Sequence, residues 1–234
     1  MSKFSITRRG WISAAVGLPL ATAAAAQAER DDPSEPPKNT VEALARLKEG
    51  NFRFVSGRVR HAHQAAAWRE HLKESQEPFA TILACSDSRV PPELVFDQGF
   101  GDLFVIRAAG NVVALDVIGS LQYAIRHLHT SLIVVMGHES CGAVTAAVEV
   151  LRGRGDEPRY IAALVNAIEP GFKGLPAELK GADRVRMAVE ANVRWSMRQL
   201  AELPEGGRLA LEQKRITLVG AVYELDTGTV RFLV

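Results

Sequence analysis

Phe79-Ala80-Thr81-Ile82-Leu83-Ala84, followed directly by Cys85, and Leu132-Ile133-Val134-Val135-Met136, followed by Gly137-His138, decide the fold. Both are short, unbroken apolar runs, and a run that does not alternate with polar residues suits a strand buried on both faces. Pro78 admits the first run, and Leu103-Phe104-Val105-Ile106 repeats the design. Around them lie helix-like segments. Thr40 is placed as an N-cap, with Val41, Leu44, Ala45 and Leu47 on one face and Gly50 near the stop. A second, polar helix is expected over Ala62 to Lys73, and others over Asp116 to Leu128, Ala143 to Leu151, about Ile161 to Ile168, and Asp183 to Leu200. Ile216 to Leu225 and Thr229 to Leu233 form the last strand pair, with Asp226-Thr227-Gly228 as the hairpin turn. Strands alternating with helices predict an α/β fold: a mostly parallel central sheet flanked by helices, closed by a C-terminal hairpin. There is no internal repeat.

The composition narrows the function. Of 234 residues, 28 are Lys or Arg and 27 Asp or Glu, a formal charge of +1 that lacks the basic footprint of a dedicated nucleic-acid binder. With 47% hydrophobic residues the chain is also no core-poor disordered segment. Its 2 cysteines cannot staple a disulfide scaffold; they form one bridge, one pair of metal ligands, or two unrelated thiols.

Thr7-Arg8-Arg9-Gly10-Trp11-Ile12 opens an alanine-rich run that closes at Ala26-Gln27-Ala28, the order of a twin-arginine signal peptide over residues 1–28. Trp11 to Ala26 is shorter than the roughly 20 residues that span a bilayer, and Pro19 interrupts it. Cleavage after Ala28 by this reading leaves a proline-containing tether, 29–39, before a domain over 40–234. The expected partner of the precursor is the twin-arginine export machinery, and the expected location is periplasmic or otherwise exported.

In an open parallel sheet, ligands gather beyond the carboxyl ends of the strands. Cys85 ends one strand, and His138 and Cys141 follow another, at a helix start whose free amides favour a thiolate. Two thiolates and a neutral imidazole suit zinc, and three protein ligands leave a fourth tetrahedral position for water. Two other readings compete: inert core thiols, and, in an exported protein, a disulfide. Cys85-Ser86-Asp87-Ser88-Arg89 adds a carboxylate and a guanidinium. Asp87, held by the fork of Arg89, is placed to accept a hydrogen bond from zinc-bound water; the bland alternative is a turn carrying a surface ion pair.

Cys85-Ser86-Asp87-Ser88-Arg89-Val90 and Gly137-His138-Glu139-Ser140-Cys141-Gly142 together resemble the β-class carbonic anhydrases. Gly101 to Asn111 and Ala188 to Val193 extend the likeness, which runs from about Thr40 to the end. The resemblance implies one zinc ion per chain on Cys85, His138 and Cys141, a catalytic Asp87 and Arg89 pair, and a homodimer or higher homo-oligomer with its active site at the subunit interface. It implies reversible hydration of carbon dioxide to bicarbonate through a zinc-bound hydroxide. Gln76 matches a glutamine that hydrogen-bonds the bound acid, while Phe104 and Tyr123 match aromatics that line a narrow apolar pocket from the neighbouring subunit. Without the resemblance, Phe104 and Tyr123 are core aromatics and Gln76 a solvated side chain. Arg107 also falls where the family has an arginine. Some bacterial members hold inhibitory bicarbonate beside a tryptophan and a glycine, where this chain has Ile82 and Ala84, although Tyr223 matches their tyrosine.

Three alternatives remain: a carbon disulfide or carbonyl sulfide hydrolase on the same scaffold, a non-catalytic zinc-binding module, and a thiol-disulfide protein using Cys85 and Cys141. The intact Asp87 and Arg89 argue against the second. His61, His63, His71, His127 and His129 are all formally able to pass a proton to buffer, and spacing singles out none of them; each is expected at the surface.

Overall fold

The two apolar runs lie side by side at the centre of one sheet. The computed structural model describes residues 35–176, 178–203 and 215–233; the expected signal peptide, 1–28, and the start of the tether lie outside them. The strands are β1 (Ala80–Ala84), β2 (Leu103–Arg107), β3 (Leu132–His138), β4 (Thr217–Tyr223) and β5 (Val230–Leu233), in the order β2-β1-β3-β4-β5. All pairings are parallel except that of β4 with β5. Every residue of β1 and β3 is buried, which is why neither run alternates. The chain steps from β1 to β2 on one side and then crosses to β3 on the other. The winding therefore reverses between β1 and β3, the place where such sheets open a crevice at their carboxyl edge.

Seven helices are described: α1 (Thr40–Val55), α2 (Ala66–His71), α3 (Pro92–Val95), α4 (Leu115–His127), α5 (Gly142–Leu151), α6 (Arg159–Ile168) and α7 (Gly181–Ala201). None is long and apolar enough to cross a membrane. Two expectations about α1 fail for physical reasons. Asn39, not Thr40, is the cap: its Oδ1 accepts from the amides of Val41 at 3.0 Å and Glu42 at 2.9 Å. Nor does Gly50 stop the helix, which runs on to Val55. A Cβ at Gly50 would lie 1.8 Å from the Phe96 carbonyl oxygen, so this glycine marks close packing of α1 on the segment after α3. Gly50→Ala is expected to destabilise the fold by about 2 kcal/mol or more, because overpacking outweighs the roughly 1 kcal/mol that alanine gains in helix propensity. Thermal denaturation checks this, and the Tm falls.

The second helix is shorter than expected. His61 and His63, on either side of Ala62, adopt left-handed backbone angles, φ 53° and 58°, which an α-helix does not tolerate, and α2 starts only at Ala66. Buried Asn51 ties α1 to the C-terminal hairpin, donating to the carbonyls of Val95 (3.1 Å) and Gly228 (2.9 Å) and accepting from the Val230 amide (2.8 Å). Helix α7 crosses β3 so closely that a Cβ at Gly137 would come within 2.6 Å of Val193 Cγ2.

Candidate metal centre

Strand pairing assembles the site. Ala84 pairs with Met136, so Cys85, one residue past β1, stands level with Gly137, and His138 is the last residue of β3. A tight turn with Ser140 in the left-handed region (φ 53°) then delivers Cys141 as the residue capping α5. One ligand atom from each of Cys85, His138 and Cys141 lies within 4.8 Å of the others, and all three residues are buried. The two sulfurs are 3.9 Å apart and the cysteines are free. A disulfide needs about 2.05 Å. Two thiolates each about 2.3 Å from a tetrahedral zinc ion would stand about 3.8 Å apart, so the spacing fits that ion.

His138 supplies an independent sign. Its Nδ1–H donates to the Glu139 carbonyl at 2.8 Å, which leaves Nε2 as a bare acceptor. Nε2 is buried without a hydrogen-bond partner among the described residues. A buried orphan of this kind costs about 1–3 kcal/mol unless something ligates it.

The thiols are unequal. Cys85 is pulled far below an ordinary thiol, chiefly because Cys141 donates to it; burial opposes this, while the amides of Asp87 and Gly110 assist. Cys141 is pushed up for the same reason, keeping the proton it shares, with burial and the charge on Cys85 adding to the effect. The amides of Val144 and Ala143 at the helix start pull it back without prevailing. Side by side the two thiols oppose each other's ionisation, and a divalent cation is what makes two adjacent thiolates stable.

Asp87 and Arg89 form a two-pronged pair: Nε donates to Oδ1 at 2.9 Å and Nη2 to Oδ2 at 2.8 Å, with the Arg89 amide also on Oδ1 at 3.0 Å. These bonds hold the Asp87 carboxyl well below the usual carboxylate range. Its Oδ2 lies 3.8 Å from His138 Nε2, beside the cluster. Arg107, at the end of β2, donates from Nε to the Cys85 carbonyl at 2.9 Å and from Nη2 to the Asp87 carbonyl, fastening the loop that carries both residues. A 3₁₀ turn, Ala109–Asn111, presents the Gly110 amide to Cys85 Sγ at 3.3 Å. Each contact has a main-chain group at one end, two carbonyls for Arg107 and the amide of Gly110, so motif spacing alone assigns no chemistry to either residue.

Gln76, Phe104 and Tyr123 are not brought to this cluster within one chain. Gln76 is exposed in the loop before β1, and Phe104 pairs with Thr81, four residues before Cys85 and so about 13 Å along the strand. Tyr123, late in α4, packs on Phe104 with ring centroids 6.2 Å apart and remains 48% exposed, which rules it out as a core aromatic. Ile82 and Ala84 are fully buried within β1, while Tyr223 is buried opposite His138 in the register. One histidine departs from the surface expectation: His63 donates from Nδ1 to Asp102 at 2.8 Å and stacks on Trp68 with centroids 3.8 Å apart.

A Cys-His-Cys donor set at the carboxyl edge of a parallel sheet, with a carboxylate beside it, is the pattern of a metal-dependent enzyme. The comparisons agree. A profile of the carbonic anhydrase family matches residues 80–230. Carbonic anhydrase 2 of Mycobacterium tuberculosis is 38% identical over 82% of this chain and 92% of its own. The solved beta-carbonic anhydrase CcaA superposes with a TM-score of 0.65 at 27% identity, covering 81% of this chain and 94% of that one. The Coccomyxa beta-carbonic anhydrase, solved in complex with acetazolamide, gives 0.64 at 26% identity, covering 81% and 86%. The chain belongs to the β-class carbonic anhydrases and is an enzyme of that family.

Proposed function

We propose that this enzyme hydrates carbon dioxide reversibly to bicarbonate and a proton, with one zinc ion per chain held by Cys85, His138 and Cys141. The observation that carries the reading is the bare, buried Nε2 of His138 beside two sulfurs at zinc-thiolate spacing. When bound there, zinc supplies the Lewis acidity that brings the pKa of a water from about 15.7 toward 7. The chain's own residues do the rest. Asp87, ionised and clamped by Arg89, can only accept hydrogen bonds, so it fixes the orientation of the reacting water. Arg107 holds the loop that sets Asp87 against Cys85.

Gln76, Phe104 and Tyr123 act from a second copy of the chain, in a homodimer or a larger homo-oligomer. Their distance from the cluster and the exposure of Tyr123 support that arrangement. An apolar wall suits a neutral gas, and the Gln76 amide is suited to hydrogen-bond the acid formed from it.

Stopped-flow rates on carbon dioxide, carbonyl sulfide and carbon disulfide test the reading; carbon dioxide is expected to react fastest by a wide margin. The same assay tests its pH dependence. Because Arg89 lowers the Asp87 carboxyl, that group stays ionised down through the usual carboxylate range, and the acid limb near neutrality belongs to the reacting water. With Ile82 and Ala84 filling β1, activity should rise smoothly with pH. A cooperative loss below about pH 8 that deepens with added bicarbonate, beyond product inhibition, would contradict this.

The twin arginine and Ala26-Gln27-Ala28 support export in folded form with Glu29 as the new N-terminus and a periplasmic or otherwise exported location. Arg8→Lys with Arg9→Lys should trap precursor in the cytoplasm, as fractionation would show. Unchanged export would point to another route.

A further inference from the structure

Behind the metal centre lies a buried polar network whose members all point at one turn. Asn111, Asn192 and Ser196 are each 1% exposed, among the buried apolar residues of the core. Asn192 donates from Nδ2 to the Gly110 carbonyl at 2.8 Å. Ser196, one helical turn further along α7, donates from Oγ to the Asn111 carbonyl at 3.0 Å and accepts from Asn111 Nδ2 at 3.3 Å. Gly110 and Asn111 are both left-handed, φ 64° and 45°, a region that asparagine enters more readily than other non-glycine residues and that the hydrogen bonds from α7 hold in place. Burying amides and a hydroxyl here costs stability unless they are satisfied, and apolar residues of the same size would pack as well. What the polar groups add is the shape of the turn. That shape aims the Gly110 amide at Cys85 Sγ, 3.3 Å away.

We infer that Asn192 and Ser196 are positioning residues for the metal: through the Gly110–Asn111 turn they hold one N–H on the Cys85 sulfur, and so limit how strongly that thiolate donates to the bound ion. The inference rests on Cys85 being a metal ligand, as proposed above. An amide on a coordinating sulfur withdraws electron density from it, and outer-shell partners of this kind are worth about 10- to 100-fold in metal affinity or activity. Helix α7 can deliver both side chains because Gly137 lets it settle against β3.

The test replaces zinc by cobalt(II) in the full enzyme and reads the thiolate-to-cobalt charge-transfer band, alongside the pH–rate profile of the zinc enzyme. Asn192→Leu keeps the volume and removes the donor. The band should move to longer wavelength and the pH–rate profile should shift upward, because a sulfur relieved of its N–H donates more strongly to the ion. Ser196→Ala should move the band in the same direction by less. Asn51→Leu, which breaks a buried network that makes no hydrogen bond to the three clustered donors or to the Gly110–Asn111 turn, should lower the Tm without moving the band. If Asn192→Leu does not fold, Ser196→Ala decides the matter. A wild-type band with both variants unmoved would overturn this inference alone; the absence of any thiolate-to-cobalt band in the wild type would overturn the metal reading and this inference with it.

Discussion

His138→Ala should leave the enzyme without its metal and without measurable hydration above background. The imidazole is one of only three donors in the cluster, and its bare Nε2 is the donor that no protein group satisfies. Without it, Cys85 still pushes the Cys141 thiol up, which opposes two thiolates side by side. The loss should exceed the roughly 100-fold seen when an outer-shell partner is removed. Metal analysis and stopped-flow hydration on the same preparation check it. Full zinc occupancy in the variant would refute the ligand assignment.

Asp87→Asn should separate metal binding from catalysis. The amide keeps the shape of the side chain, and none of the three clustered donors is touched, so zinc should remain. The charge that anchors Arg89 at two points disappears, however, and one oxygen becomes an N–H facing the guanidinium. A donor then stands where the reacting water needs an acceptor. The hydration rate should fall by about 100-fold at unchanged zinc content. Wild-type turnover would make Asp87 structural only.

Much of this was legible in the sequence because the residues that carry it leave side-chain signals. β1 and β3 are buried on both faces, so their apolar runs stand out, and Cys85 and His138 mark where those runs end. The His138 to Cys141 spacing works because one turn separates the strand from α5. What escaped was either main-chain chemistry or contact across the fold. The Gly110 amide on Cys85 has no side chain to announce it, and the role of Arg107 depends on two carbonyls. Gly50 reads as a stop in isolation; only the Phe96 carbonyl against it shows why glycine is needed mid-helix. Thr40 and Asn39 are both of a capping type, with asparagine the stronger, and which of them turns its oxygen onto the helix start depends on the approach of the chain. His63 looks like a surface histidine until Asp102 and Trp68 enclose it.

The most direct test of the central claim is a zinc titration of the chelator-stripped enzyme, with carbon dioxide hydration followed at each addition. The account predicts negligible activity without metal, a linear rise, and a break at one ion per chain, matching the single Cys-His-Cys cluster among the described residues. Full hydration activity in the stripped protein, or activity that does not follow zinc content, would contradict it.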